Sequence, residues 1–206
     1  MYLAIEGVNG AGKSSTINLV KKILEGKNKK ILVTREPGGT EFGKIIRKLV
    51  QESPEFKLSP ITELLLFSAD RKEHIEKVIK PALKDGFIVL SDRCFWSTIA
   101  FQGYGRGLDL KTIEDICKIT VGSDIPDKVF LLDLDPVTGF KRNYAAFKTG
   151  DSFEGDITDL AELKFHTNVR TGFLELAKKF PSQIIDATLS VEAIADIIAN
   201  IITAEL

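Results

Sequence analysis

The sequence has little of several things. Only two of its 206 residues are cysteine, Cys94 and Cys117. Two are too few for a disulfide framework, and with no signal peptide in view both read as reduced thiols of a cytoplasmic protein. Only two are histidine, His74 and His166, and neither stands near a cysteine or a carboxylate cluster, so the spacing offers no metal-binding signature. Charge of one sign is missing too. Against 29 acidic residues stand 28 basic ones, a net charge of −1, without the basic surplus of a general nucleic-acid binder. No apolar run is long enough to span a bilayer. The most apolar stretch, 191–202, is interrupted by Glu192, Asp196 and Asn200, which is the pattern of an amphipathic helix on a core. What remains is a globular balance, 44% hydrophobic and 28% charged. A chain of this length buries a core without covalent staples.

Short apolar runs alternate with longer helical stretches. That alternation points to an α/β fold, a five-stranded parallel sheet with helices on both faces, in a single domain. Strands are expected at 2–6, 30–34, 87–91, 128–133 and 183–186, each rich in Ile, Val, Leu or Phe as in strands covered on both faces. Helices are expected at 13–25, 40–51, 59–84, 109–121, 136–145, 159–179 and 190–204. Ser59 caps the third and Pro60 opens it; Pro81 bends or restarts it. The polar, glycine-bearing residues 147–155 read as a mobile loop.

Gly7, Val8, Asn9, Gly10, Ala11, Gly12, Lys13 and Ser14 match GxxxxGK[ST], directly after the first strand and opening the first helix. The glycines let the backbone curl so that successive N–H groups face phosphate oxygens, and the helix N-terminus adds positive potential. With Ser15, these residues form the expected ATP-binding set. Lys13 reaches the terminal phosphates and Ser14 offers a hydroxyl to Mg²⁺. Such loops serve GTPases, ATPases and small kinases alike, and no N-K-x-D guanine-reading element is present.

Asp92 and Arg93 follow the third strand. An aspartate at the carboxyl end of a parallel strand lies beside the phosphate loop and is suited to Mg²⁺; a helix cap is the plainer alternative. The Arg93 fork suits a phosphate monoester. Arg35-Glu36-Pro37-Gly38-Gly39-Thr40 follows the second strand, and reads equally as a ligand-facing turn or an ordinary loop capped by Thr40. Arg47, alone, reads as a solvated charge. Phe67 and Arg71, four apart, share a helix face and are able to stack on and hydrogen-bond a nucleobase, although a core Phe beside a surface Arg is the commoner pairing.

Taken in order, these blocks resemble the bacterial-type thymidylate kinases, a branch of the P-loop nucleoside monophosphate kinases. Arg35–40 is similar to the family's REPGGT block, 64–71 to its L-L-L-F-x-A-x-R helix, and 92–103 to its D-R-Y/F-x-x-S-x-x-A-Y-Q-G signature. The resemblance implies ATP-dependent phosphorylation of dTMP to dTDP, supplying dTTP synthesis. Phe67 would stack on thymine, and Arg71 and Gln102 would bond its edge. Arg47 and Arg93, with Arg35, would hold the acceptor phosphate, Ser97 would support that pocket, Pro37 and Phe101 would line the substrate site, and Asn9 would lie near the sugar. Glu6, Ser14 and Asp92 would organise Mg²⁺. The resemblance also implies a cytoplasmic homodimer with a mobile lid at about 142–155. Catalysis would be positioning and charge neutralisation by Lys13, Mg²⁺ and arginines, Arg93 among them, with Asp92 acting through the metal.

The chain departs from the family pattern in three places. Asn9 stands where members usually carry an acid. Ser152 stands where the lid usually supplies an arginine, before Phe153 and Glu154, which leaves Arg142 or Lys148 as the substitute; Arg142 is the expected one. Cys94 and Phe101 replace tyrosines. Two other readings compete: a kinase of another nucleotide or of a deoxynucleoside, and a nucleotide-binding regulator without turnover.

Overall fold

Five apolar runs form strands: β1 Tyr2–Glu6, β2 Ile31–Arg35, β3 Ile88–Asp92, β4 Lys128–Asp133 and β5 Ser182–Asp186. In the computed structural model, which describes residues 1–51, 53, 56–147 and 160–206, they form one sheet in the order β2-β3-β1-β4-β5. Every pairing is parallel. All five residues of β1 are buried. Consecutive burial means that both faces of the sheet are covered, since neighbouring side chains point to opposite sides. The α/β fold expected from the alternation is the one observed.

β1 lies between β3 and β4, so the chain departs to opposite sides on either flank of it. In open parallel sheets the crevice at such a reversal, beyond the strands' carboxyl ends, is where ligands bind. Glu6, Arg35, Asp92, Asp133 and Asp186 are the last residues of the five strands. The alternation thus delivers five ionisable side chains to one edge of the sheet.

The helices follow local chemistry. α1 (Lys13–Gly26) leaves the phosphate loop and packs against the C-terminal α9 (Val191–Ala204). Thr40 Oγ1 accepts from Gly43 N at the start of α2 (Glu41–Gln51). Ser59 Oγ accepts from Thr62 N, and Pro60 opens α3 (Pro60–His74). The single helix expected over 59–84 is divided. A π-helical turn, Ile75–Ile79, separates α3 from α4 (Lys80–Lys84). Pro81 has no N–H to give the preceding turn and its ring crowds the carbonyl four residues back, so the ladder widens there.

One element had no counterpart in the sequence reading. α5 (Phe95–Thr98) runs into a π-helical segment, Ile99–Gly105. Cys94 gives this element no side-chain cap, and the segment carries two glycines, Gly103 and Gly105. Both glycines serve close packing. A Cβ on Gly105 would lie 2.5 Å from Phe165, and one on Gly103 2.5 Å from Leu110. α8 (Leu160–Ala177) lies along this segment, with Gly172 against Tyr104. α6 (Leu110–Val121) and α7 (Pro136–Phe147) complete the set. Trp96 is fully buried beside Phe180 and belongs to the core. Among the described residues no helix is long and apolar enough to cross a membrane.

Candidate active site

The phosphate loop joins β1 to α1 through three glycines with positive φ: Gly7 at 143°, Gly10 at 80° and Gly12 at 84°. Gly10 is also required for space. A Cβ there would lie 2.3 Å from the Gly139 carbonyl oxygen, and one on Gly139 would lie 2.5 Å from that of Asn9. α7 is therefore pressed onto the loop, glycine against backbone. Gly139 had a detectable signal, because glycine inside a helix costs about 1 kcal/mol relative to alanine and calls for a reason.

Lys13 is buried in this loop and donates from Nζ to the carbonyls of Gly7 (2.9 Å) and Val8 (3.0 Å). Burial, and then the positive charge of Arg93, bring its pKa down to about 7. Val8 and Ala11 pack into the core, while Ser14 and Ser15 are exposed in the first turn of α1. Ser14 Oγ donates to Asp92 Oδ2 at 3.0 Å. A hydroxyl and a carboxylate side by side form an all-oxygen donor set, which fits Mg²⁺ held with several of its waters. Among the described residues no group of three or more His, Cys, Asp or Glu side chains is placed to hold a metal.

Glu6, expected at the metal, has another place. Its side chain is fully buried. Oε1 accepts from the backbone N–H groups of Cys94 (2.9 Å) and Ser97 (3.0 Å), and Oε2 accepts from Ser97 Oγ (2.8 Å). The register explains the difference: Ile5, not Glu6, lies opposite Asp92, so Glu6 points to the other face of the sheet. Burial pushes its carboxyl above the ordinary range, against the pull of Arg93, 3.6 Å away, and of the Cys94 and Ser97 donors. Glu6 holds the start of α5 and, through Ser97, Arg93.

Arg93 has φ 77°, a left-handed conformation that costs a non-glycine residue about 1–3 kcal/mol. Its backbone is held by Ile5 O and by Ser91 Oγ, which donates to its carbonyl at 2.7 Å. The guanidinium donates from Nη1 to Ser97 Oγ (2.9 Å) and Gly7 O (3.3 Å), and from Nη2 to Asn9 Oδ1 (2.8 Å), and it lies over Phe101. Strained backbone and a fully directed side chain together mark a functional position.

Beside Arg93 opens a cavity of about 300 Å³ lined by Asn9, Pro37, Phe67, Arg71, Ser97, Phe101 and Gln102, among others. Among the described residues its lining does not include Arg35 or Arg47. Both side chains lie by the Pro37–Gly38 turn, and Arg47 Nη1 donates to Pro37 O at 3.3 Å. Arg71 is buried, with Nε on Glu36 Oε2 (2.7 Å) and Nη2 on Thr98 Oγ1 (2.9 Å). Its Nη1 is buried with no hydrogen-bond partner in the protein. An unsatisfied donor costs about 1–3 kcal/mol, and this one belongs to a cavity-lining side chain. Burial works against the charged guanidinium, and Glu36 more than offsets it, raising its pKa.

The sequence assigned nothing to His74, yet it is fully buried, with Nδ1 3.0 Å from Glu36 Oε1 and Nε2 2.6 Å from Thr34 Oγ1. Burial pushes the Glu36 carboxyl up, but Arg71 and His74 outweigh it and hold it below the ordinary value. Glu36 precedes a cis peptide bond to Pro37. Asp70 Oδ1 accepts from Gly38 N at 3.3 Å. Burial, and then the charge of Glu36, raise the Asp70 carboxyl to about 6. His166 lines the same cavity edge-on to Phe101, Phe140 and Phe165, and burial lowers its pKa, with Arg93 adding to the effect.

Arg142, expected at the transferring phosphoryl group, donates from Nη1 to Ala187 O at 2.8 Å. The Gly139–Asn9 contact sets the course of α7, which carries Arg142 past the phosphate loop to the carboxyl end of β5. Asp135 caps α7 by accepting from Thr138 N, while Asp133 pairs through both oxygens with Arg170. Lys148, Ser152 and Glu154, the expected lid positions, lie outside the described residues.

The sequence and fold that build this site are similar to those of known proteins. A family model described as thymidylate kinase matches residues 5–198. The thymidylate kinase of Gloeobacter violaceus is 42% identical over 199 residues, 95% of this chain and 91% of the relative. That of Prosthecochloris aestuarii is 43% identical over 199 residues, 94% and 89% of the two chains. The crystal structure of thymidylate kinase from Ehrlichia chaffeensis superposes with a TM-score of 0.76 at 29% identity, covering 98% of each chain. With full-length matches in sequence and in fold, this chain belongs to the thymidylate kinase family.

Proposed function

We propose that this chain transfers the terminal phosphoryl group of ATP to dTMP, giving dTDP and ADP. The observation that carries the proposal is the continuity of the site. Arg93 touches the phosphate loop at Gly7 and Asn9 with the same guanidinium that lines the adjoining cavity. A nucleotide in each compartment would meet the other at this cation.

The acceptor's phosphate oxygen is itself the nucleophile. It forms a bond to the γ-phosphorus as the bond to the β–γ bridging oxygen breaks, and ADP leaves with that electron pair. A phosphate monoester is largely ionised at neutral pH, so no general base is needed. The protein aligns two anions and neutralises charge as it moves from the acceptor to ADP. Arg93 orients the acceptor phosphate; Lys13 exchanges its two carbonyl partners for phosphate oxygens. Ser14 and Asp92 would hold Mg²⁺, which would supply positive charge against the phosphates. Phe67 stacks on the base, and Arg71 gives its free Nη1 to a base carbonyl. Glu6 acts through Ser97 and Arg93. Arg142 serves the nucleoside end of ATP, near Ala187.

The reading extends to a homodimer and a cytoplasmic setting. Phe42, Ile45, Ile61 and Leu65 are exposed on the packed helices α2 and α3, an apolar face suited to a second copy. Cys94 and Cys117 are both free thiols. The test is a panel of nucleoside monophosphates offered with ATP and Mg²⁺, with Lys13→Ala as control. Preferential formation of dTDP, lost in the control, supports the proposal; preference for another acceptor, or binding without turnover, contradicts it.

A further inference from the structure

One corner of the cavity is built from three elements that the account so far leaves without a task. Glu63 of α3 accepts from Arg106 Nε (3.2 Å) and Nη2 (2.9 Å), just after the π-helical segment. Arg106 lies over the ring of Phe165 in α8, with its carbon 5.5 Å from the ring centre. Glu63 Oε2 is also 3.4 Å from Gln102 Nε2. Glu63 and Arg106 both line the cavity, and Gln102 is buried within its wall.

A glutamine amide is ambiguous on its own. Its two ends are nearly equal in size and opposite in hydrogen-bond character. A carboxylate removes the ambiguity because it only accepts. Beside Glu63 the NH₂ end is favoured, while the carbonyl end would place two acceptors together. We propose that Glu63, held by Arg106, is a positioning residue that fixes the Gln102 amide with its carbonyl oxygen toward the bound base. The cavity then presents an acceptor from Gln102 and a donor from Arg71 Nη1. That pair complements a ring N–H next to a keto oxygen. An aminopyrimidine offers the reverse at both positions, a ring acceptor and an exocyclic donor, and leaves buried groups unpaired. The inference rests on the dTMP reading and adds to it what sets the direction of the amide.

The test compares wild type, Glu63→Gln, Gln102→Ala and the double variant with dTMP and 5-methyl-dCMP as acceptors. Glu63→Gln is nearly isosteric and frees the amide to turn. Its KM for dTMP should rise about tenfold with kcat within about twofold, the size of one hydrogen bond. Its kcat/KM preference for dTMP over 5-methyl-dCMP should fall at least about fivefold. In the Gln102→Ala background Glu63→Gln should change neither quantity. Equal losses on both acceptors, or losses that add in the double variant, would make Glu63 a purely structural residue and overturn the proposal. Arg106→Met, which unfastens Glu63 but keeps its carboxylate, should shift the preference in the same direction and carries the test if Glu63→Gln does not fold. If wild type forms no dTDP, the phosphorylation reading fails by itself. Calorimetric dTMP affinities of the same variants would then still report whether Glu63 acts through Gln102.

Discussion

Arg93 Nη2 donates to Asn9 Oδ1 at 2.8 Å across 84 residues of sequence. Through this bond the cavity that Arg93 lines and the phosphate loop share one cation. Glu6, 3.6 Å away, is the carboxylate paired with it, and the neutral Asn9 leaves most of its charge for a ligand.

Arg93 is therefore expected to be the most sensitive arginine in the chain. Arg93→Ala should lower kcat by about 10³-fold, within the range for a transition-state arginine. Arg93→Lys keeps the charge without the fork and should recover no more than about a tenth of the loss. Steady-state rates at saturating ATP and dTMP check this; an Arg93→Ala enzyme within threefold of wild type contradicts it.

Lys13 links nucleotide binding to protons. Its folded pKa is about 7, against 10.5 for the free side chain, so between those values the unfolded state binds more protons. Stability without nucleotide should rise as pH climbs from about 7 to about 10.5. Denaturant unfolding at pH 7.5 and 9.5, compared with Lys13→Met, should show the difference moving in favour of wild type at the higher pH. An anionic phosphate beside Lys13 restores its proton. ADP binding at pH 8 should then take up protons in wild type and not in Lys13→Met, as read by calorimetry in two buffers of different ionisation enthalpy.

Asp70 works in the opposite sense. Its carboxyl is raised from 3.8 to about 6 by burial, then by Glu36. The folded state holds the extra proton in that window, so stability from this group falls as pH rises from about 4 to about 6, and the full loss is present above it. Asp70→Asn should melt a few degrees higher than wild type at pH 8, with the gap closing near pH 4. A gap independent of pH contradicts the assignment.

Much of this was legible in the sequence, and the reason is locality. The phosphate loop is written in eight consecutive residues, and the strand ends that deliver Asp92 and Arg93 are single apolar runs. Caps at Thr40 and Ser59 were equally plain. What escaped depends on partners far apart in sequence. Glu36 and His74 are 38 residues apart, and no spacing announces that the histidine ending α3 reaches a loop after β2. Glu6 looked like a metal carboxylate until the register set it one residue beyond Asp92's partner. No helix is expected over 95–105, because the close packing that Gly103 and Gly105 serve depends on Leu110 and Phe165, outside the segment.

Arg142 separates the two compartments by kinetics. It is bound to the Ala187 carbonyl at the carboxyl end of β5, and its proposed task is to serve the donor's nucleoside. Arg142→Ala should raise the KM for ATP about tenfold, one charge-assisted contact, with the KM for dTMP unchanged and kcat within threefold. A collapse of kcat at unchanged KM for ATP would instead return it to the phosphoryl group.

The end-to-end arrangement has its most direct test in a ligand that spans it: adenosine and thymidine joined through a polyphosphate tether. If the two compartments meet at Arg93, both ends bind at once, and calorimetry should give an affinity at least about 100-fold above that of ATP or dTMP alone, falling sharply in Arg93→Ala. An affinity no better than that of ATP, indifferent to Arg93, would mean that the two nucleotides do not meet there.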